Sequence, residues 1–150
     1  MNTKCGVFFC IIFFGIFGSA SSETLPGGAT KLTAEEVRAM YQGKSANWKS
    51  VRVFFAPDGS ARLVRKDKKA YGEGHWAVNE NEMCLTITPV DVVKGKRETM
   101  KDCYAWHKAG GNYFMLWSGD KDRKDAYRDD ESDRLAQGDQ VSQEFLSLKK

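Results

Sequence analysis

A chain of 150 residues suffices for one domain and is short for two. A hydrophobic share of 41% and an aromatic share of 12% can fill a packed core, which excludes wholesale disorder. The formal charge of +3 is too modest to demand a nucleic-acid partner, and none is expected.

Residues 1–20 read as a secretory signal peptide. Lys4 supplies a positive start, residues 7–17 an apolar run, and Gly18-Ser19-Ala20 a small-residue site, with cleavage expected after Ala20. The apolar run is shorter than the roughly 20 residues a spanning helix needs, so no transmembrane anchor is expected. The expected location is periplasmic or extracellular. Cleavage would discard Cys5 and Cys10. The remaining pair, Cys84 and Cys103, would meet an oxidising compartment and is expected to form a disulfide.

Residues 21–30, with Pro26-Gly27-Gly28, read as a flexible arm, and residues 31–148 as a single β-rich domain. The spacing predicts one N-terminal helix over residues 32–43. Thr33 and Glu36 form a capping box, Leu32 and Val37 a staple, and Gly43 suits the left-handed position after the end. Val37, Met40 and Tyr41 share the apolar face, which should plug or flank a sheet. Val51, Val53 and Phe55 alternate, Pro57-Asp58-Gly59 turns the chain, and Ala61, Leu63 and Arg65 return as a hairpin.

A third strand spans residues 72–78, with Trp76 and Val78 on one face. The fourth has Met83, Leu85 and Ile87 on one face and Cys84 on the other, and Pro89 is expected to end it. In the fifth, Tyr104 and Trp106 share the apolar face, opposite Cys103, Ala105 and His107. Counting in twos therefore puts both cysteines on the same, less apolar face. Residues 113–117 are apolar on both faces. They should be covered on both sides or carry an exposed aromatic patch, and Tyr113, Met115 and Trp117 form the candidate binding surface. Residues 118–133 read as a long polar loop, and a short closing element follows. The fold class is mainly β: a small antiparallel β-barrel or curved sheet with one N-terminal helix and one disulfide.

Motifs for chemistry are sparse. His75 and His107 fall on the disulfide's side of the sheet and read as surface histidines. Asp120, Asp122 and Asp125 suggest calcium, but Asp125 stands where the loop needs glycine and Lys121, Arg123 and Lys124 would repel a cation. No Gly-x-Ser-x-Gly elbow and no phosphate-binding glycine loop occurs. No catalytic, cofactor or metal residue is expected. Arg62, Arg65, Lys66, Lys68 and Lys69 can share a rim with Lys94, Lys96 and Arg97 and meet an anionic polymer.

Leu32-Thr33-Ala34-Glu35-Glu36-Val37, the Ala56-Pro57-Asp58-Gly59 turn, Gly74-His75-Trp76-Ala77-Val78, Cys84, Cys103-Tyr104-Ala105-Trp106 and Gly138-Asp139-Gln140-Val141 resemble the exported bacterial family known as domain of unknown function 995. The resemblance covers roughly residues 30–148 and implies an exported protein of alphaproteobacterial type, with no activity to carry over. The Gly-x-Trp strand ahead of a cysteine strand also resembles lipocalin-like barrels.

The functional expectation is an exported, non-catalytic binding or envelope-associated module. Its partner would be an envelope protein, a small apolar ligand or an anionic polymer. The alternatives are a periplasmic hydrolase acting on envelope polymers, marked by carboxyls converging in one cleft, and a secreted factor acting on a host.

Overall fold

A computed structural model describes residues 23–150, and the expected signal peptide lies outside the described residues. The elements are β1 (Thr30–Lys31), α1 (Ala34–Tyr41), β2 (Lys44–Asn47), β3 (Val51–Phe55), β4 (Ser60–Arg65), β5 (Ala70–Asn79), β6 (Glu82–Asp91), β7 (Gly95–Lys96), β8 (Met100–Ala109), β9 (Asn112–Trp117), β10 (Leu135–Gln137) and α2 (Ser142–Leu148). They build one antiparallel sheet curled into a half-barrel. From one edge it runs β9, β8, β6, β5, β4, β3, β2, β10; β1 continues the β6 side of β8, and β7 adds to β6.

Neighbour pairing follows the alternation of the strands. Val53, Phe55, Ala61, Leu63, Trp76, Met83, Leu85, Ile87, Trp106 and Met115 all enter one buried core on the concave face. α1 plugs that concavity with Val37 and Tyr41, both almost fully buried. Its start is the expected capping box: Glu36 N donates to Thr33 Oγ1 at 3.2 Å, and Thr33 N to Glu36 Oε2 at 2.7 Å. Gly43 has φ of +72°, so the helix ends where a left-handed residue was expected. At the centre, Trp106 Nε1 donates to the Tyr41 hydroxyl at 3.0 Å. Burial pushes that phenol well above its ordinary pKa.

The curl needs β5 and β6 to approach closely at Gly74. A Cβ there would stand 2.0 Å from the Thr86 carbonyl oxygen, so only glycine fits. On the convex face, Cys84 and Cys103 are directly paired across β6 and β8, with Cα atoms 4.1 Å apart, and are joined as a disulfide. That spacing is typical of the closely spaced antiparallel pair.

Of the two forms expected, barrel or curved sheet, the chain takes the curved sheet, because β9 and β10 form separate edges. Two expectations need correction. The helix is shorter than residues 32–43, follows β1 and is not alone. α2 seals the convex side of β4 and β5 with Val141 and Phe145 over Val64, beside Tyr71. Pro89 does not end its strand: β6 continues to Asp91. The Pro89 carbonyl accepts from Arg97 N at 2.8 Å. The missing N–H lies on this same edge, beyond the last β6–β8 pair at Ile87, so no bond to β5 is lost. Two residues of the segment read as a flexible arm pair with the rest of the chain. Glu23 bridges Tyr127, and Thr30 pairs with Lys108.

Candidate functional site: a cleft beside the open edge

The polar loop between β9 and β10 spans the opening of the half-barrel. Arg128 and Met115 exchange backbone hydrogen bonds of 2.9 and 2.8 Å, which attaches the loop to the free edge of β9. Further on, the Glu131 carboxylate accepts from Trp48 Nε1 just beyond β2, and β10 then pairs with β2. The loop thus straps the two sheet edges together. Between strap and sheet lies a cleft of about 350 Å³, lined by Trp48, Tyr104, Met115, Trp117, Asp102 and Glu131, with Lys49, Arg128 and Arg134 at its polar side.

Period-two geometry puts the aromatic walls there. Trp117 pairs with Tyr104, and Met115 with Trp106, so Tyr104 and Trp117 share the concave face. Tyr104 stacks on Trp48 with ring centroids 5.4 Å apart. Trp117 is fixed from two sides. Its Nε1 donates to Asp102 Oδ1 at 2.8 Å, and Gly119 lies so close to the ring that a Cβ there would stand 2.4 Å from it. Each carboxylate in the cleft therefore accepts from the indole of one wall: Asp102 from Trp117, Glu131 from Trp48.

The cleft's electrostatics are mixed. Glu131 is 4% exposed, and burial pushes its pKa up against the opposing pull of Arg134, 3.5 Å away, and of the Trp48 hydrogen bond. Burial, and then the nearby Asp102 charge, push the Tyr104 phenol up as well. Arg134 pairs with Asp130 at 2.7 Å and Arg128 with Asp120 at 3.6 Å, so the guanidinium groups are largely neutralised.

Of the three residues read as a binding surface, Met115 and Trp117 reach this cleft. Tyr113 does not. It is exposed near the β8–β9 turn, beside a separate depression with Gly28, Thr30 and Lys108. The doubly apolar strand is covered on both faces where it matters, with Met115 buried inside and Phe114 buried outside. Trp48 was missed. It stands alone in the polar run Lys44-Ser45-Ala46-Asn47-Trp48-Lys49, which carries no alternation to announce β2.

The histidines lie elsewhere. His75 is exposed. His107 is half-buried on the outer face, against the Tyr127 ring at 5.6 Å, with Nδ1 unpartnered and its pKa lowered by burial. Asp120 is engaged by Arg123 and Arg128, and Asp125 by Arg123 at 3.6 Å, as expected of a charged loop. Among the described residues the one group with metal-ligand spacing, Glu82, Cys84 and Cys103, contains the disulfide, whose sulfurs are not thiolate ligands. No helix among the described residues is long and apolar enough to cross a membrane.

The fold and cleft define a curled antiparallel half-barrel with an interior helix and a strapped, aromatic-walled lateral site. Residues 10–141 match the family model described as protein of unknown function (DUF995), and the chain belongs to that family. No curated protein and no solved structure matches it.

Proposed function

We propose that the protein is an exported, non-catalytic binding module of the cell envelope, and that its ligand occupies the cleft between Trp48 and Trp117. The observation carrying this reading is the pair of indoles locked by Asp102, Glu131 and Gly119 around a space open to solvent. Walls held this rigidly lose little conformational freedom on binding. Flat aromatic surfaces flanked by carboxylate and guanidinium groups suit a ligand with an apolar face and a hydroxyl-bearing edge. A saccharide unit has that chemistry, whereas a wholly apolar ligand would take water from the charged groups without offering them hydrogen bonds in return. The leader pattern and the Cys84–Cys103 disulfide support export. Amino-terminal sequencing of exported protein should begin at Ser21, and a start at Met1 would contradict this. Titration with soluble peptidoglycan disaccharide fragments should change tryptophan emission saturably, and Trp48→Ala should weaken binding.

A second reading, hydrolysis of an envelope polymer, is favoured by Asp102 and Glu131 lining the same cleft, with Glu131 displaced toward its neutral form. Their bonds to the indoles favour the binding role. Incubation with purified peptidoglycan should release no soluble fragments; release that disappears in Glu131→Gln would establish the second reading instead.

A further inference from the structure

The rim of the half-barrel that carries the β4–β5 turn and the β6–β7 hairpin has no part in the cleft. The chain leaves β6 at Asp91 and returns at Gly95, and Val92 and Val93 stand at the tip, 47% and 87% exposed. Two adjacent valines in water are an unusual tip for so polar a loop. They are held outward by construction. The Asp91 carboxylate accepts from Val93 N and Lys94 N at 3.0 Å each and from the Arg97 guanidinium at 2.5 Å, so the tip cannot fold its valines inward.

Val92 N also donates to the Lys69 carbonyl at 3.0 Å, which ties the neighbouring β4–β5 turn to the hairpin. This brings together two basic runs distant in sequence, residues 65–69 and 94–97. Arg65 and Arg97 are paired with Asp67 and Asp91. Lys66, Lys69, Lys94 and Lys96 are exposed and, among the described residues, have no ion-pair partner.

We infer that this rim docks on the surface of an anionic lipid bilayer, with Val92 and Val93 entering the interface and the four lysines facing headgroup phosphates. The cations alone would suit any polyanion; the exposed valines select the bilayer, because an apolar side chain gains nothing from a hydrated polymer. The inference does not depend on what the cleft holds.

The test is co-sedimentation of the exported, processed protein with vesicles of phosphatidylcholine plus phosphatidylglycerol, and with phosphatidylcholine alone. Binding to the anionic vesicles only is expected, weakening with salt. Lys94→Gln with Lys96→Gln should lower partitioning by roughly fivefold per lysine. Val92→Ser with Val93→Ser should also reduce it, with the urea midpoint unchanged because both side chains are exposed. Equal binding to neutral vesicles, no binding to either, or anionic binding indifferent to the valine changes and abolished by dextran sulfate would each overturn the inference, the last in favour of a polyanion surface.

Discussion

Gly119 and Tyr41 show how single residues carry this architecture. Gly119 has room for Trp117 only because it lacks a Cβ, and Trp117 is in turn held by Asp102. Gly119→Ala should displace the ring and alter tryptophan emission while leaving the far-ultraviolet circular dichroism unchanged. Unchanged emission would mean the wall is not held by this contact. Tyr41→Phe would leave the buried Trp106 N–H without its acceptor and should cost about 1–3 kcal/mol of stability. Urea denaturation monitored at the core tryptophans measures this. Such contacts were partly legible. Tyr41 and Trp106 were each assigned to the core by periodicity. Their bond was not, because residues 65 apart in sequence meet only once the sheet curls.

Among the elements, the strands with strong alternation were legible and the short ones were not. β6 carries buried residues at every second position, β3, β4 and β5 do so over part of their length, and β8 alternates apolar Tyr104 and Trp106 with Cys103 and Ala105, so the two cysteines fall on one face by that count. β2, with Lys44-Ser45-Ala46-Asn47, and β10, with Leu135-Ala136-Gln137, are too short to carry an apolar alternation. Their places are set by partners: Ser45 Oγ donates to the Gly138 carbonyl at 2.8 Å and accepts from Gln140 N at 3.0 Å. Half of the cleft rests on these weak elements and the strap, which is why only Met115 and Trp117 could be nominated from sequence.

The β6–β7 hairpin has a predictable acid response. The Arg97 side chain, followed by the Val93 and Lys94 amides, holds the Asp91 carboxyl well below its ordinary value of 3.8. Because its folded pKa is depressed, its stabilising contribution is present above 3.8 and lost as pH falls further. Asp91→Asn should therefore remove part of the acid-induced loss of stability, read as the unfolding midpoint against pH. An identical pH dependence in the variant would contradict this.

For the whole molecule, the disulfide fastens the convex side of a sheet that does not close on itself. The cysteines are 19 residues apart, and a loop of that length predicts about 3 kcal/mol of stabilisation on the chain-entropy model. Cys84→Ser with Cys103→Ser should lower stability by about that amount, and thiol titration of the unreduced exported protein should find no reactive cysteine. The antiparallel order also sets the β2–β3 turn, the β4–β5 turn and the β6–β7 hairpin at one end of the half-barrel, so the aromatic cleft opens beside the basic rim. Lys66 N donates to the Ser50 carbonyl at 3.0 Å across that end. A module docked by its rim would hold the cleft close to the bilayer surface, a placement that no local pattern announces because it depends on the strand order of the entire sheet.

The proposed role rests on the two locked indoles forming a binding site. The most direct measurement is a tryptophan-emission titration of the exported protein with a soluble peptidoglycan disaccharide, repeated on Trp117→Ala and Asp102→Asn. A saturable change is expected that is lost in Trp117→Ala and weakened in Asp102→Asn, with both variants folded by circular dichroism. No change with the intact protein, or the same saturable change in both variants, would contradict it.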